Sequence, residues 1–512
     1  MTEEIRALIF LFTVIAVPIY FFLRYAAYLS IKREAKAWVT IWVIVTAMTF
    51  LIPNFWIYAF LLIIGLHYYT RNNPTLKISL FFVLLPSIPA ATISIPGFGI
   101  INYLFDIGHH HILSIVLLGP LLITKYKGFN PNKAVNLFVL CYFLVTVGIN
   151  FRDLDITVAL RLSVVHAIIM IIPFYAISRS IHKPEDLKKI MYAAIFGIFI
   201  QSTLGIAETL KGWHLYNSAT ASLGTDWGIG GYMSRNNLLR APASLGHPII
   251  LGYISAIGLG LFLFFYPTNA PKMRPYFWIA FLCFSGGLIT SLSRGPWVGA
   301  AVLLFLFIIT GRKAVGKFAK VAAASTIVLA ILSMSPAGQN FIELIPFVSS
   351  DEQNHAVSTI SYRQRLLEQS WIVIKRNPFF GSSDYPETPE MQSMIQSEGI
   401  IDLVNSYLQI ALSTGLIGLG FFLASFGVVL LKLYKLRSTL KSNVKFKDLL
   451  LQNRVFIATI IGIMVTIFTV SGIGVTQIYY WSILGLACAY FKVAKKTILE
   501  HILEVSNNRP RP

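Results

Sequence analysis

Uncharged apolar stretches of membrane-crossing length recur along this chain, and that repetition limits its fold more than any other feature. Residues 190–207, 275–293 and 403–431 contain no Asp, Glu, Lys or Arg, and residues 455–491 form a run of double length. A helix needs about 20 residues to cross the hydrocarbon core of a bilayer. Because a helix also satisfies its own backbone N–H and C=O groups in lipid, the chain is predicted to be an all-α polytopic membrane protein of about 13–15 spans. The runs at 38–52, 55–70 and 111–124 are the shortest of these and also fit re-entrant or bundle-buried helices. A β-barrel is excluded, since the runs are continuous and do not alternate with a period of two. Composition agrees: 56% of the 512 residues are hydrophobic and 12% charged, outside the range of a soluble globular domain. The first run, residues 8–22, follows an acidic start and lacks a small-residue cleavage site behind it, so it is expected to stay as a span. Cys141, Cys283 and Cys488 fall inside apolar runs and read as small core residues, not as a disulfide framework.

The formal net charge of +20 resembles a nucleic-acid signature until it is placed along the chain. Residues 432–454 carry Lys432, Lys435, Arg437, Lys441, Lys445, Lys447 and Arg454 against one acid, Asp448, and residues 31–36, 125–133, 311–317 and the tail from Lys492 are basic as well. The positive-inside rule makes these segments cytoplasmic, so no nucleic-acid partner is needed to explain the charge. Alternation then puts residues 211–243, 292–296 and 338–402 on the extracytoplasmic side. The last of these is biased toward acids, including Glu343, Asp351, Glu352, Glu398 and Asp402. Five regions follow: N-terminal spans (1–189), central spans (190–337), an extracytoplasmic segment (338–402), C-terminal spans (403–492) and a basic cytoplasmic tail (493–512).

This topology gives weight to Arg294, in the turn "SLSRGPWVGA" (291–300) between two spanning runs. The orienting rule does not call for Arg at an external boundary. Arg235 and Arg240 precede it in one external segment, and Arg363 and Arg365 follow it in another. Several guanidinium groups at one membrane surface suit an anion, because the planar fork of Arg matches phosphate oxygens; a snorkelling side chain at a helix end is the structural alternative.

Within residues 338–402, Ser361 and Gln364 have capping-box spacing and Asn377-Pro378 is a stop, so a helix is expected between them. Leu367, Trp371 and Ile374 would form its apolar stripe, with Arg363 extending that stripe beside free N–H groups at the helix start. Glu398 and Asp402 precede the run at 403–431, placing two carboxylates at its mouth. His247 follows Arg240 and reads as a hydrogen-bonding or structural residue at a span entrance. The histidines of "GHHH" (108–111) do not share one helical face, and no metal site is expected. Walker-type, dinucleotide-binding and HExxH motifs do not occur, so no cofactor is implied.

The stretches "RAPASLGHPIILGY" (240–253), "SRGPWVGA" (293–300), "YRQRLLEQSWIVIKRNPFFGSS" (362–383) and "VNSYLQIALSTGLIGLGFF" (404–422), in this order, resemble the O-antigen ligase and Wzy-type polysaccharide polymerase family. The resemblance covers roughly residues 190–430. It implies a glycosyltransferase of the cytoplasmic membrane whose catalytic face is extracytoplasmic. The donor would be an oligosaccharide on undecaprenyl pyrophosphate and the acceptor a glycan or lipid hydroxyl, with no metal and no nucleotide sugar. Membrane lipids and other polysaccharide assembly proteins are the remaining partners expected. Arg240, Arg294, Arg363 and Arg365 would hold the pyrophosphate, and His247 and Asn405 would line the substrate cavity. Family ligases carry a histidine where this chain has Val404, which leaves Asp402, Glu398 or His355 as the base and favours repeat-unit polymerisation over ligation. A lipid-linked oligosaccharide flippase and a non-catalytic assembly subunit are the alternatives from other classes. A flippase usually shows related halves, and no internal repeat is evident.

Overall fold

A computed structural model describes residues 2–90, 92–97, 99, 103–124, 130–225, 234–235, 238–267, 270–311, 316, 356–396, 401–472 and 474–507. Among them eight helices are long and apolar enough to cross a membrane. The N-terminal region contains α1 (Glu3–Tyr28), α2 (Lys32–Leu51), the shorter apolar helices α3 (Phe55–Thr70), α4 (Pro74–Leu84) and α5 (His109–Ile123), then α6 (Lys133–Asp153) and α7 (Ile156–Ser180). The central region contains α8 (Pro184–Lys211), α9 (Pro248–Phe265), α10 (Arg274–Thr290) and the short α11 (Arg294–Ile309). After α12 (Ala356–Arg376) come α13 (Ser406–Lys441), α14 (Lys447–Phe468) and α15 (Thr476–Asn507). Two small antiparallel hairpins, β1 (Thr92–Pro96) with β2 (Tyr103–Gly108) and Ser234–Arg235 with Leu238–Leu239, are the sheet among the described residues.

The chain is thus an all-α polytopic membrane protein. Among the described residues the apolar helices α3, α4, α5 and α11 are shorter than the crossing length. The uncertain run at 38–52 belongs to the full-length α2, while 55–70 and 111–124 give the short helices α3 and α5. The double-length run 455–491 is broken between Phe468 and Thr476. Helix ends follow their sequence signals. Asn54, Asn73, His247 and Asn405 accept from backbone N–H groups at the starts of α3, α4, α9 and α13, satisfying donors that have no partner inside the helix. Gly212 closes α8 in the left-handed conformation.

Hydrogen bonds fix which helix ends lie together. At one end, Arg437 and Arg454 donate to the carbonyls of Thr310 and Phe307 at the end of α11, Lys432 to Pro131, and Lys492 to Arg179 at the end of α7. At the other, Ala241 N–H donates to Thr290 at the end of α10, and Ser406 N–H donates to Val470 just past the end of α14. The basic segment 432–454 and the turn carrying Arg294 therefore sit at opposite ends of the bundle.

Candidate functional site

The second of these ends is built on the turn between α10 and α11. Leu292 adopts a positive φ of 45°, which turns the chain sharply and presents the carbonyls of Ser291 and Leu292 to neighbouring donors. Arg235 donates to Leu292 O at 3.1 Å, and Arg240 donates to Ser291 O at 3.4 Å and Ser293 Oγ at 3.0 Å. Arg294 is the first residue of α11. Behind it, a Cβ on Gly295 would lie 2.5 Å from Thr469 Oγ1 and 2.9 Å from Val470 Cγ2, so glycine lets the loop after α14 close against the turn.

That loop carries the rest of the site. Arg363 donates to Thr469 O at 3.5 Å, and Ser471 Oγ donates to Asp402 Oδ1 at 3.3 Å. Tyr362 adds a bond from its hydroxyl to the carbonyl of Asp402 at 3.1 Å. The charges feel one another across these segments. Desolvation, and then the field of Arg294, hold Arg235 below its ordinary value, and desolvation followed by the field of Arg235 brings Arg240 down to about 10. Arg363 is lowered by desolvation, raised by Asp402 and lowered again by Arg294. Arginines from three segments distant in sequence thus converge with one carboxylate, an arrangement that favours a bound anion.

The strand of chain holding Arg240 is anchored from below. Glu208 in the last turn of α8 is fully buried and accepts from Leu215 N–H at 2.9 Å and Ala243 N–H at 2.8 Å. Gln201 Oε1 accepts from the hydroxyl of Ser244 at 2.9 Å. His247 accepts from Ile249 N–H through Nδ1 at 3.2 Å, and desolvation, with Arg240 nearby, brings its pKa down to about 4. It is therefore neutral, with the proton on Nε2.

Several expectations change. The helix expected to start at Ser361 already runs from Ala356, so Arg363 lies two turns inside α12, where backbone N–H groups are used by the helix itself. The buried side of α12 is Leu366, Ser370, Val373 and Ile374, while Leu367 and Trp371 of the expected stripe are exposed. α12 therefore has apolar residues on two faces: Ile374 of the expected stripe joins the buried one, and Leu367 and Trp371 form an exposed one. Arg365, two residues from Arg363 and so on a different side of the helix, is exposed as Arg363 is, but it takes part in none of these bonds. Asn405 is the N-cap of α13, its Oδ1 accepting from Tyr407 and Leu408 N–H. Residues 401–405, which carry Asp402, are not helical, and Glu398 and His355 lie outside the described residues. His109–His111 are buried at the start of α5, where His111 Nδ1 accepts from Gly108 N–H. The contribution of Thr469–Ser471 was hidden inside an apolar run, although Ser471-Gly472 and Gly474 marked a turn there.

Helices long and apolar enough to cross a bilayer, with a cluster of arginines at one of their ends, define a polytopic membrane protein with a cationic mouth. Residues 279–423 match the model of the O-antigen ligase family, which supports a likeness to O-antigen ligase/Wzy-type proteins over that part of the chain. The match takes in three of the four stretches noted in the sequence; the stretch around Arg240 lies outside it. No curated protein matches the chain. This match supports a role in glycosyl transfer for cell-surface polysaccharide, a reaction whose substrates are a lipid-linked glycan and an acceptor.

Proposed function

We propose that this protein polymerises cell-surface polysaccharide repeat units on the extracytoplasmic face of the cytoplasmic membrane, using glycan carried on undecaprenyl pyrophosphate. The observation that carries this reading is the convergence of Arg235, Arg240, Arg294 and Arg363 at the helix end opposite the basic segment 432–454. An acceptor hydroxyl attacks the anomeric carbon, the bond from that carbon to the pyrophosphate oxygen breaks, and the hydroxyl proton passes to a base. Negative charge grows on the leaving pyrophosphate, and guanidinium groups already in position stabilise it without reorganisation. Asp402 is the base in this scheme. It lies outside a helix, within the field of Arg363, and Ser471 orients its carboxylate. Val404 beside Asn405, where family ligases carry histidine, favours polymerisation over ligation.

Purified protein incubated with lipid-linked repeat units and read as a ladder on a gel tests this. Arg294→Lys keeps the charge and loses the bidentate fork, so product falls about tenfold or more, the scale of a lost charge-assisted bond of about 1.5–3 kcal/mol. Arg363→Ala behaves likewise, and Arg365→Ala has a smaller effect. Asp402→Asn abolishes transfer and leaves donor binding intact. Full activity in folded Arg294→Lys and Arg363→Ala proteins would put the pyrophosphate elsewhere. For topology, single cysteines at the exposed positions Glu387 and Ser442 react oppositely with an impermeant maleimide, Glu387→Cys from outside the cell.

A further inference from the structure

The segment after α12 enters a break in a membrane span. At Gly415 the backbone of α13 leaves the helical region with φ 64° and ψ −172°, a conformation that suits glycine. Such a break frees donors and acceptors in the middle of a helix, and residues 378–382 satisfy them. Leu416 N–H donates to Pro378 O at 2.8 Å, Ile417 N–H to Phe379 O at 3.1 Å, and Ser382 N–H to Leu412 O at 2.9 Å. The fit is close: a Cβ on Gly381 would strike Leu412 O, and one on Gly415 would strike the carbonyl of Phe379. The loop is also tied to the end of α6, where Asp153 accepts from Ser383 N–H at 2.8 Å and Arg152 donates to Gly381 O at 2.6 Å. Gly415 is nine residues into α13, which at about 1.5 Å per residue puts the loop about 13 Å along a membrane-crossing helix.

A polar loop at that depth would be unfavourable, and this one is not polar on its outer side. Phe379 is 65% exposed and Phe380 50%, and on α12 Leu367 and Trp371 are 56% and 50% exposed, with Ile372 beside them. Leu416, whose N–H bonds to Pro378 next to Phe379, is exposed as well, as is Leu423 two turns further along α13, a helix long and apolar enough to cross a membrane. Lys375 stands 5.8 Å from the ring of Trp371, the pairing of a cation with an aromatic ring that suits the boundary between headgroups and acyl chains.

The geometry points to a membrane-immersed docking surface: Leu367, Trp371, Ile372, Phe379 and Phe380 insert into the acyl region of the leaflet on the side of the arginine cluster, so that part of the expected extracytoplasmic segment is a re-entrant element. The occupant of the surface is bilayer lipid, because the patch adjoins the exposed Leu416 of α13 and its backbone is satisfied inside the protein, as non-helical chain at membrane depth requires. Trp371 is two helical turns from Arg363, so this seating sets the height of Arg363 relative to the headgroup plane. The surface itself does not depend on the function proposed above.

The test uses the full chain with Cys141, Cys283 and Cys488 replaced by alanine, in nanodiscs of phosphatidylethanolamine and phosphatidylglycerol. Bimane is attached to one cysteine at a time: Trp371→Cys, Phe379→Cys, Phe380→Cys, or Glu387→Cys as an exposed reference outside the patch. Nitroxide-labelled lipid is expected to quench positions 371, 379 and 380 at least threefold more than 387, and aqueous iodide to show the reverse order. Iodide quenching at 379 and 380 equal to that at 387, with no effect of nitroxide lipid, overturns the proposal and leaves the patch to water or to a protein partner. Three separate positions keep the result interpretable if one variant fails to fold, and no readout depends on catalytic activity.

Discussion

Two helices of this protein are about equally apolar in sequence and opposite in burial. In α9, 83% of the spanning window is buried inside the protein; in α7 the share is 22%. Hydropathy cannot separate them, because lipid and protein interior are alike to a leucine. Small residues can. The α9 sequence has Gly252, Gly258 and Gly260 with Ser255 and Ala256, whereas α7 contains no glycine and is rich in Ile and Val. At each of these glycines a neighbour occupies the space of a side chain: a Cβ on Gly258 would lie 2.6 Å from Ile198 Cγ2 of α8, and one on Gly252 would lie 2.6 Å from Ser291 Oγ. The central position of α9 thus follows from close approach, and the same approach seats the turn that carries Arg294.

The strongest way to break this comparison is Gly258→Leu. It forces a branched side chain against Ile198 and Phe284, and overpacking at or beyond the upper end of about 1–3 kcal/mol is expected to abolish folded protein on size exclusion. Glu208→Gln comes next. It removes one of two acceptors that hold the chain on either side of Arg240, so thermal stability falls by about 1–3 kcal/mol and product formation falls with it.

The entrance to α9 gives a pH-dependent prediction. His247 in the folded protein has a pKa of about 4, below the ordinary value of 6.5, so the folded state binds fewer protons than the unfolded state between those values. Stability contributed by the neutral ring is present above about pH 6.5 and is lost as pH falls toward 4, by up to about 2 kcal/mol at pH 5. Asn also caps a helix and does not titrate, so His247→Asn should flatten that part of the melting profile. The smallest effect belongs to the other helix: Leu160→Ala on α7, at a 52% exposed position, should change the melting free energy by under about 0.5 kcal/mol. A large loss there would show that α7 packs against something in its working state and would remove the contrast.

The reading of α12 shows where sequence reasoning stopped. Asn377-Pro378 marked its end correctly, because Pro lacks the N–H a continuing helix needs. Ser361 and Gln364 suggested a start that the structure puts upstream, since a capping pair and an exposed i, i+3 pair look the same in one dimension. Arg240 and Arg294 stood out by side and residue type, and the structure places both beside the turn between α10 and α11. Arg363 and Arg365 could not be told apart until the helix was oriented against the loop after α14.

Apolar run length, basic residues at one set of boundaries and the Gly, Asn and Pro punctuation determined by themselves that this is a helical membrane protein, where most helices begin and end, and which arginines share an end of the bundle. These are local consequences of transfer energy, capping and backbone conformation, and each is readable in a short window. Tertiary structure alone decided that α8 and α9 are central, that Thr469–Ser471 closes on Asp402 and Arg363, and that residues 378–382 enter the break at Gly415. Those contacts join residues tens to hundreds of positions apart, and they depend on where a missing side chain lets two backbones meet, a property of the pair that neither segment carries alone.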